Sequence, residues 1–171
     1  MYRERMETLK EWKVSKNRKP LIIRGARQVG KTWLMKEFGK LYYEKCAYIN
    51  FDNNSRMDIL FNEEFDLNRI IQGLKIESGI NIEPENTLII FDEIQETPNA
   101  LKALKYFYEN ANEYHIVAAG SLLGVAMHQG TSFPVGKVNF MDLMPLSFFE
   151  FLDALGQDHL LNLLKNNEFD M

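Results

Sequence analysis

Runs of consecutive apolar residues alternate along this chain with segments of helical periodicity. The apolar runs predict strands that are buried on both faces of a sheet, and the periodic segments predict helices. Strands are predicted at 20–24, 46–51, 87–91, 114–119 and 136–141. Helices are predicted at 3–13, 31–41, within 54–77, and at 98–110, 121–127, 147–155 and 158–166. This alternation predicts an α/β fold, with a parallel sheet and helices on both of its faces.

A glycine-containing segment joins the first predicted strand to the helix after it. Its residues are Gly25, Ala26, Arg27, Gln28, Val29, Gly30, Lys31 and Thr32. They follow the pattern G-x-x-x-x-G-K-[ST], in which backbone N–H groups surround the phosphates of a nucleotide, the lysine binds the β- and γ-phosphates and the hydroxyl coordinates Mg²⁺. We expect both glycines to supply backbone dihedrals that a side chain would block, and the helix to direct its positive end at the anion. All eight residues are predicted to bind a nucleoside triphosphate.

Two carboxylates, Asp92 and Glu93, follow the strand predicted at 87–91. Ligands of an α/β sheet bind beyond the carboxyl ends of its strands, so both acids are expected to face the glycine-containing loop. Asp92 is predicted to hold Mg²⁺ together with Thr32, and Glu93 to activate an attacking water. Alone, two acids would be weak evidence for a catalytic site, because they could belong to an ordinary surface loop. The glycine-containing loop upstream makes that evidence strong.

Ser121 follows the strand predicted at 114–119 and is the third catalytic candidate, with Glu93 and Lys31. Its hydroxyl could contact the γ-phosphate or the attacking water, as a sensor of the bound nucleotide. The spacing is equally typical of an N-cap for the next helix, and both alternatives stay open. His115, at the start of that strand, is expected to be structural and not catalytic. No cluster of His or Cys in the sequence has the spacing of a metal site.

Six motifs occur in order along the chain. They are PLIIRGARQVGKT at 20–32, YINFD at 48–52, IFDEIQ at 90–95, AGSLL at 119–123, PVGKV at 134–138 and PLSFFEFL at 145–152. In this order they resemble the N-terminal ATPase domain of a prokaryotic family of the AAA+ superfamily. Members of that family are longer and carry a C-terminal domain of nuclease-like fold. The resemblance therefore implies that 1–171 is one ATPase domain from a longer protein.

The resemblance also implies a fold and ligands. The fold is the three-layer P-loop NTPase fold, with about five strands in the order 5-1-4-3-2, and the ligands are ATP and Mg²⁺. It supports the loop 25–32 as nucleotide-binding, Asp92 as the metal acid, Glu93 as catalytic and Ser121 as sensor. ATP hydrolysis is the leading hypothesis.

Two other functions remain open. AAA+ enzymes commonly use an arginine finger, and no arginine follows Arg69, which favours a nucleotide-gated interaction switch with little turnover. A phosphotransferase acting on a small acceptor is the third hypothesis, although the arginine-rich lid of nucleotide kinases is absent from the sequence.

Charge along the chain is uneven. Residues 1–36 contain eleven Lys or Arg and three Glu, while the whole chain carries a net charge of -4. The basic N-terminal helix could bind nucleic acid, but its apolar residues Met6, Leu9 and Trp12 favour a packed helix with one solvated face. An isoelectric point near 5.5 gives nucleic-acid binding no support. Self-association is a further possibility.

Cysteine content and hydropathy indicate the redox environment of the protein and whether it spans a membrane. The single cysteine, Cys46, excludes an internal disulfide and is expected to be a buried core residue in a reducing cytoplasm. No segment reaches the roughly twenty apolar residues that a membrane-spanning helix needs.

Overall fold

The computed structural model describes residues 3–62, 65–120, 134 and 136–165. Within them, five strands form one parallel sheet. The strands are β1 Leu21–Arg24, β2 Lys45–Asn50, β3 Thr87–Asp92, β4 His115–Gly120 and β5 Asn139–Asp142. Their order across the sheet is β2-β3-β4-β1-β5. This is the predicted order 5-1-4-3-2 counted from the opposite edge. The predicted α/β class and strand order are therefore confirmed.

Seven α-helices are defined in the described residues. They are α1 Arg5–Val14, α2 Lys31–Tyr42, α3 Ser55–Asn62, α4 Leu67–Ser78, α5 Pro98–Asn110, α6 Phe148–Ala154 and α7 Asp158–Lys165. A short 3-10 helix, Ile94–Glu96, follows β3. The helix predicted at 121–127 lies outside the described residues. No helix in the described part of the chain combines the length and apolar character needed to cross a membrane.

One strand boundary differs clearly from its prediction. The fifth strand was expected to begin at 136 and begins at Asn139. Gly136 adopts a left-handed φ of 76°, and the Lys137 amide donates to the Pro134 carbonyl at 3.0 Å. These residues form a turn, so the extended backbone starts after it.

Alternate residues of the buried strands pack into two hydrophobic cores, one on each face of the sheet. On β3, Leu88 and Ile90 face the core built with α1 and α2, whereas Ile89 and Phe91 face the core built with α3, α4 and α5. All four side chains are fully buried. The period of two along a strand explains this arrangement and gives the three-layer architecture.

Helix α1 packs through its apolar side, as predicted. Met6, Leu9 and Trp12 are buried and share a core with Phe38 of α2. The Trp12 indole Nε1 also donates to the Lys19 carbonyl at 2.7 Å, which fixes the ring in a partly polar setting.

Cys46 departs from its prediction, because it is half-buried rather than fully buried. It lies on β2, which is an edge strand of the sheet and is therefore covered less completely than β3 or β4. Its Sγ packs against Gly39 of α2, where a Cβ would come within 2.7 Å of the sulfur.

Candidate functional site

The loop between β1 and α2 has the backbone geometry of an anion-binding loop. Gln28 and Gly30 both adopt left-handed conformations, with φ of 64° and 91°. Helix α2 begins directly after Gly30, with no side-chain cap and no acidic residue in its first turn. The first N–H groups of α2 and its positive dipole end are therefore available to an anion.

Gly25 is required for a different reason from the one predicted. Only Gly30 of the two loop glycines has a positive φ. At Gly25, a Cβ would lie 2.3 Å from the carbonyl oxygen of Leu143 and 3.2 Å from Cγ2 of Val29. The expectation that Gly25 supplies a special dihedral is therefore wrong, and the close approach of a neighbouring backbone is the physical cause.

Lys31 turns its ammonium group back into the loop. Its Nζ donates to the carbonyl oxygens of Gly25 at 2.9 Å and Ala26 at 2.6 Å, and the residue is 7% exposed. Burial lowers the pKa of Lys31, and the negative charges of Glu93 and Asp92 oppose that shift. The ammonium is thus held by neutral acceptors that phosphate oxygens could replace.

Thr32 and Asp92 meet, although they belong to different elements. The Thr32 Oγ1 donates to Asp92 Oδ2 at 2.7 Å. Helix α2 starts after β1 and crosses the sheet over β4, β3 and β2, which brings its first turn to the carboxyl end of β3. The structure thus brings together the two residues that were predicted to hold Mg²⁺.

Glu93 occupies the position after the end of β3. Its backbone is left-handed, with φ of 52° and ψ of 41°, and the side chain is half-buried. Its Oε2 accepts a hydrogen bond of 2.6 Å from the Gln95 Nε2. The turn at Glu93 breaks the alternation of the strand, so Asp92 and Glu93 have separate surroundings.

A cleft of about 650 Å³ is lined by several of these groups. Its lining residues are Arg27, Gln28, Gly30, Lys31, Thr32, Trp33, Asp52, Glu93, Gln95 and Glu96. Of the predicted site residues, Gly25, Ala26, Val29 and Asp92 are not among the lining residues. Ala26 is exposed, whereas Val29 and Asp92 are buried. Ser121 lies outside the described residues.

The sequence did not single out several residues of this site. Trp33, Asp52, Gln95 and Glu96 line the cleft, and Tyr48 donates to Asp92 Oδ2 at 3.0 Å. Tyr48, Asp52 and Gln95 all stand inside the motifs at 48–52 and 90–95. Their place within these motifs was the available signal.

The donor set fits a nucleotide-bound Mg²⁺. Among the described residues there is no group of three or more His, Cys, Asp or Glu that could hold a metal ion. Mg²⁺ in nucleotide sites usually takes one or two protein oxygens and completes its shell with phosphates and water. The Thr32 hydroxyl, in the first turn of α2, and the Asp92 carboxylate, at the end of β3, are oxygen donors of the kind that would suit such an ion.

The sheet order, the loop and the acid at the end of β3 define a P-loop ATPase domain of the α/β class. A family model described as "AAA domain" matches residues 17–152, and the chain belongs to this family. No significant match was found among curated proteins.

Solved structures share the fold at low sequence identity. A Walker-type ATPase of Pyrococcus abyssi matches with a TM-score of 0.58 and 16% identity over 91% of this chain and 58% of its own. Drosophila ORC bound to DNA matches with a TM-score of 0.58 and 18% identity, over 89% and 45%. The Aeropyrum pernix ORC1 protein in complex with DNA matches with a TM-score of 0.52 and 14% identity, over 92% and 50%. The chain thus spans between 45% and 58% of these longer chains.

Proposed function

We propose that this domain binds ATP with Mg²⁺ and hydrolyses it. The 2.7 Å contact between Thr32 and Asp92 carries the proposal, because it joins the phosphate-binding helix to the acidic end of β3. Glu93 lines the same cleft. These three side chains supply a hydroxyl and a carboxylate for the cation and a separate carboxylate for water.

The charges around the cleft support dependence on a divalent cation. Asp52, Glu93 and Glu96 line it, opposed by Arg27 and Lys31. A triphosphate entering this cleft would meet net negative charge, and a bound cation offsets that repulsion. We therefore propose that ATP binds as its magnesium complex.

Each residue has a distinct task in this proposal. Lys31 exchanges its two loop carbonyls for phosphate oxygens, and the uncapped amides of α2 bind the same phosphates. Mg²⁺, when bound, neutralises charge on the β- and γ-phosphates. Glu93 accepts a proton from the attacking water and orients it toward the γ-phosphate.

Two substitutions test the division between binding and turnover. Glu93→Gln should keep ATP affinity within about twofold and reduce phosphate release at least about 100-fold, the lower range for removal of a general base. Lys31→Ala should abolish both ATP binding and phosphate release, since it removes the ammonium group that binds the phosphates. Calorimetry measures the binding, and steady-state phosphate release measures the turnover.

A matched control is Glu109→Gln, because Glu109 pairs with Lys137 at 2.9 Å on the surface. It should retain wild-type binding and turnover. Equal phosphate release by Glu93→Gln and wild type would contradict the role of Glu93. Absence of magnesium-ATP binding by the folded wild-type protein would contradict the whole proposal.

A nucleotide-gated switch is the second candidate function. One observation favours it, since the Gln95 amide is bonded to the Glu93 carboxylate at 2.6 Å and competes with water for that oxygen. Phosphate release measured over a range of protein concentrations separates the two functions. Turnover that rises with concentration favours hydrolysis by an oligomer, and tight binding without turnover favours the switch.

A further inference from the structure

Strand register brings Tyr48 beside the carboxylate of Asp92. Tyr48 on β2 pairs with Ile90 on β3, two residues before Asp92. Tyr48 and Ile90 both contribute to the core on the α2 face. Because side chains alternate along a strand, Asp92 points to that same face. The ring of Tyr48 spans the remaining distance along the sheet.

Two hydroxyl groups donate to one oxygen of Asp92. Tyr48 Oη lies 3.0 Å and Thr32 Oγ1 lies 2.7 Å from Asp92 Oδ2. Asp92 is only 5% exposed, so these donors replace much of the water that a free carboxylate would bind. An ionised carboxylate only accepts hydrogen bonds, so the Tyr48 phenol is the donor in this contact.

Helix α2 holds the ring of Tyr48 in place. The Lys36 Nζ lies 3.6 Å from the centroid of that ring, within range of a cation–π contact. Lys36 is four residues after Thr32 and therefore on the same face of α2. One helix face thus contacts both Asp92 and Tyr48, through Thr32 and Lys36.

We infer that Tyr48 is a positioning residue that orients the Asp92 carboxylate for the nucleotide-bound cation. The inference rests on the proposed function. Thr32 has to serve two partners, since its oxygen is a ligand for the cation and its proton goes to Asp92. Tyr48 has no role toward the cation and donates to Asp92 alone. It fixes the carboxylate independently of the direction in which the Thr32 hydroxyl turns.

The test is Tyr48→Phe, which removes one oxygen and keeps the ring beneath Lys36. Affinity for ATP in EDTA should stay within about twofold of wild type, because the loop amides and Lys31 are unchanged. The Mg²⁺ concentration that gives half of the magnesium-dependent gain in ATP affinity should rise about tenfold, as expected for the loss of one hydrogen bond to a charged group. Electron paramagnetic resonance of Mn²⁺, added with ATP, should show a similar loss of cation affinity.

Tyr43→Phe is the matched control. The Tyr43 hydroxyl bonds His115 Nδ1 at 2.7 Å, at the opposite end of the sheet from the cleft. Its removal should lower the unfolding temperature and leave the Mg²⁺ midpoint unchanged. Unfolding temperatures of the nucleotide-free proteins show how far each variant is destabilised.

Two results would overturn the inference while the proposed function stands. One is an unchanged Mg²⁺ midpoint in Tyr48→Phe beside a wild type that binds magnesium-ATP. The other is an equal loss of ATP affinity with and without Mg²⁺, which would place the effect of Tyr48 on the loop instead of on Asp92. A folded wild type that binds no ATP under either condition would contradict the proposed function itself.

Discussion

Gly25 illustrates how one atom limits the loop. Its missing Cβ leaves room for the Leu143 carbonyl, which would otherwise lie 2.3 Å away. Gly25→Ala should therefore lower stability by about 1–3 kcal/mol through overpacking, since the clashing atom belongs to a backbone. We also expect at least tenfold weaker ATP binding, because the loop has to shift.

Urea unfolding and calorimetry measure these two effects. Gly79→Ala is the control, because Gly79 ends α4 with φ of 68° and no atom within 4 Å of the added Cβ. It should lower stability by about 1 kcal/mol through backbone strain and leave ATP affinity unchanged. Wild-type affinity in Gly25→Ala would contradict the steric argument.

His115 predicts a pH dependence of stability. It is buried, and burial together with the positive charges of Arg18 and Lys13 lowers its pKa from 6.5 to about 4. Between these values the unfolded chain binds a proton that the native chain does not. The free energy of unfolding should therefore fall as the pH falls through this window, by at most about 1.4 kcal/mol per unit for one proton.

Urea unfolding between pH 7 and pH 4 checks this expectation. His115→Gln keeps a group that can hydrogen-bond the Tyr43 hydroxyl and removes the titrating group, so its stability should fall less over the same window. His159→Gln, at an exposed position, should behave as wild type. Parallel pH profiles for His115→Gln and wild type would contradict the assignment.

At the scale of elements, the N-terminus of α4 depends on one side chain. Asp66 Oδ1 accepts from the backbone amides of Asn68 at 2.9 Å and Arg69 at 3.4 Å. Asp66→Ala should cost about 1 kcal/mol, the usual value for a lost N-cap. Asp66→Asn keeps an acceptor and should cost less. Equal urea midpoints for the two variants would show that the cap contributes little.

The sequence predicted the strands and the glycine loop because their signals are local. The four central residues of β3, Leu88 to Phe91, are apolar and every position of the strand is buried, and the loop follows a pattern of fixed spacing. The start of β5 was misplaced because Val135 to Val138 look extended in composition. The turn that contains the left-handed Gly136 decides the boundary, and an apolar pattern does not show it.

The additional site residues depend on geometry that a linear pattern does not contain. Tyr48 reaches Asp92 through the register of two strands. Gln95 reaches Glu93 through the left-handed turn at Glu93. Thr32 and Asp92 could be associated in advance, since both were predicted to bind the same cation. Tyr48 and Gln95 contact other protein side chains in the site, so only the folded structure reveals their place in it.

At the scale of the whole molecule, a buried ionic contact ties the start of α1 to α6. Arg3 is 4% and Glu150 7% exposed, and Arg3 Nε lies 3.4 Å from Glu150 Oε1. Arg3 Nη2 donates to the Met144 carbonyl at 2.8 Å. The Glu150 carboxylate also accepts from the backbone amides of Glu4 at 3.0 Å and Ser147 at 2.9 Å.

Breaking this pair from either side should be costly. Arg3→Met and Glu150→Gln should each destabilise the protein by about 3 kcal/mol, because each leaves buried polar groups of the partner unpaired. The double variant should lose less than the sum. Urea unfolding of all four proteins gives the coupling energy.

The exposed pair Glu7 and Lys10, at 2.8 Å, provides the comparison. Glu7→Gln should change stability by less than about 0.5 kcal/mol, since exposed ion pairs contribute little. Strict additivity of the Arg3 and Glu150 substitutions would mean that the two side chains act separately.

The backbone of Leu143 forms one wall of the phosphate loop, and Arg3 and Glu150 anchor the residues just beyond it. The Leu143 backbone therefore restricts movement of the loop on that side. Widening the loop on that side would require residues 143–150 to move. Arg3 holds these residues through its contacts with Met144 and Glu150. A displacement of the loop on this side would therefore be transmitted to α1 and α6 through these contacts.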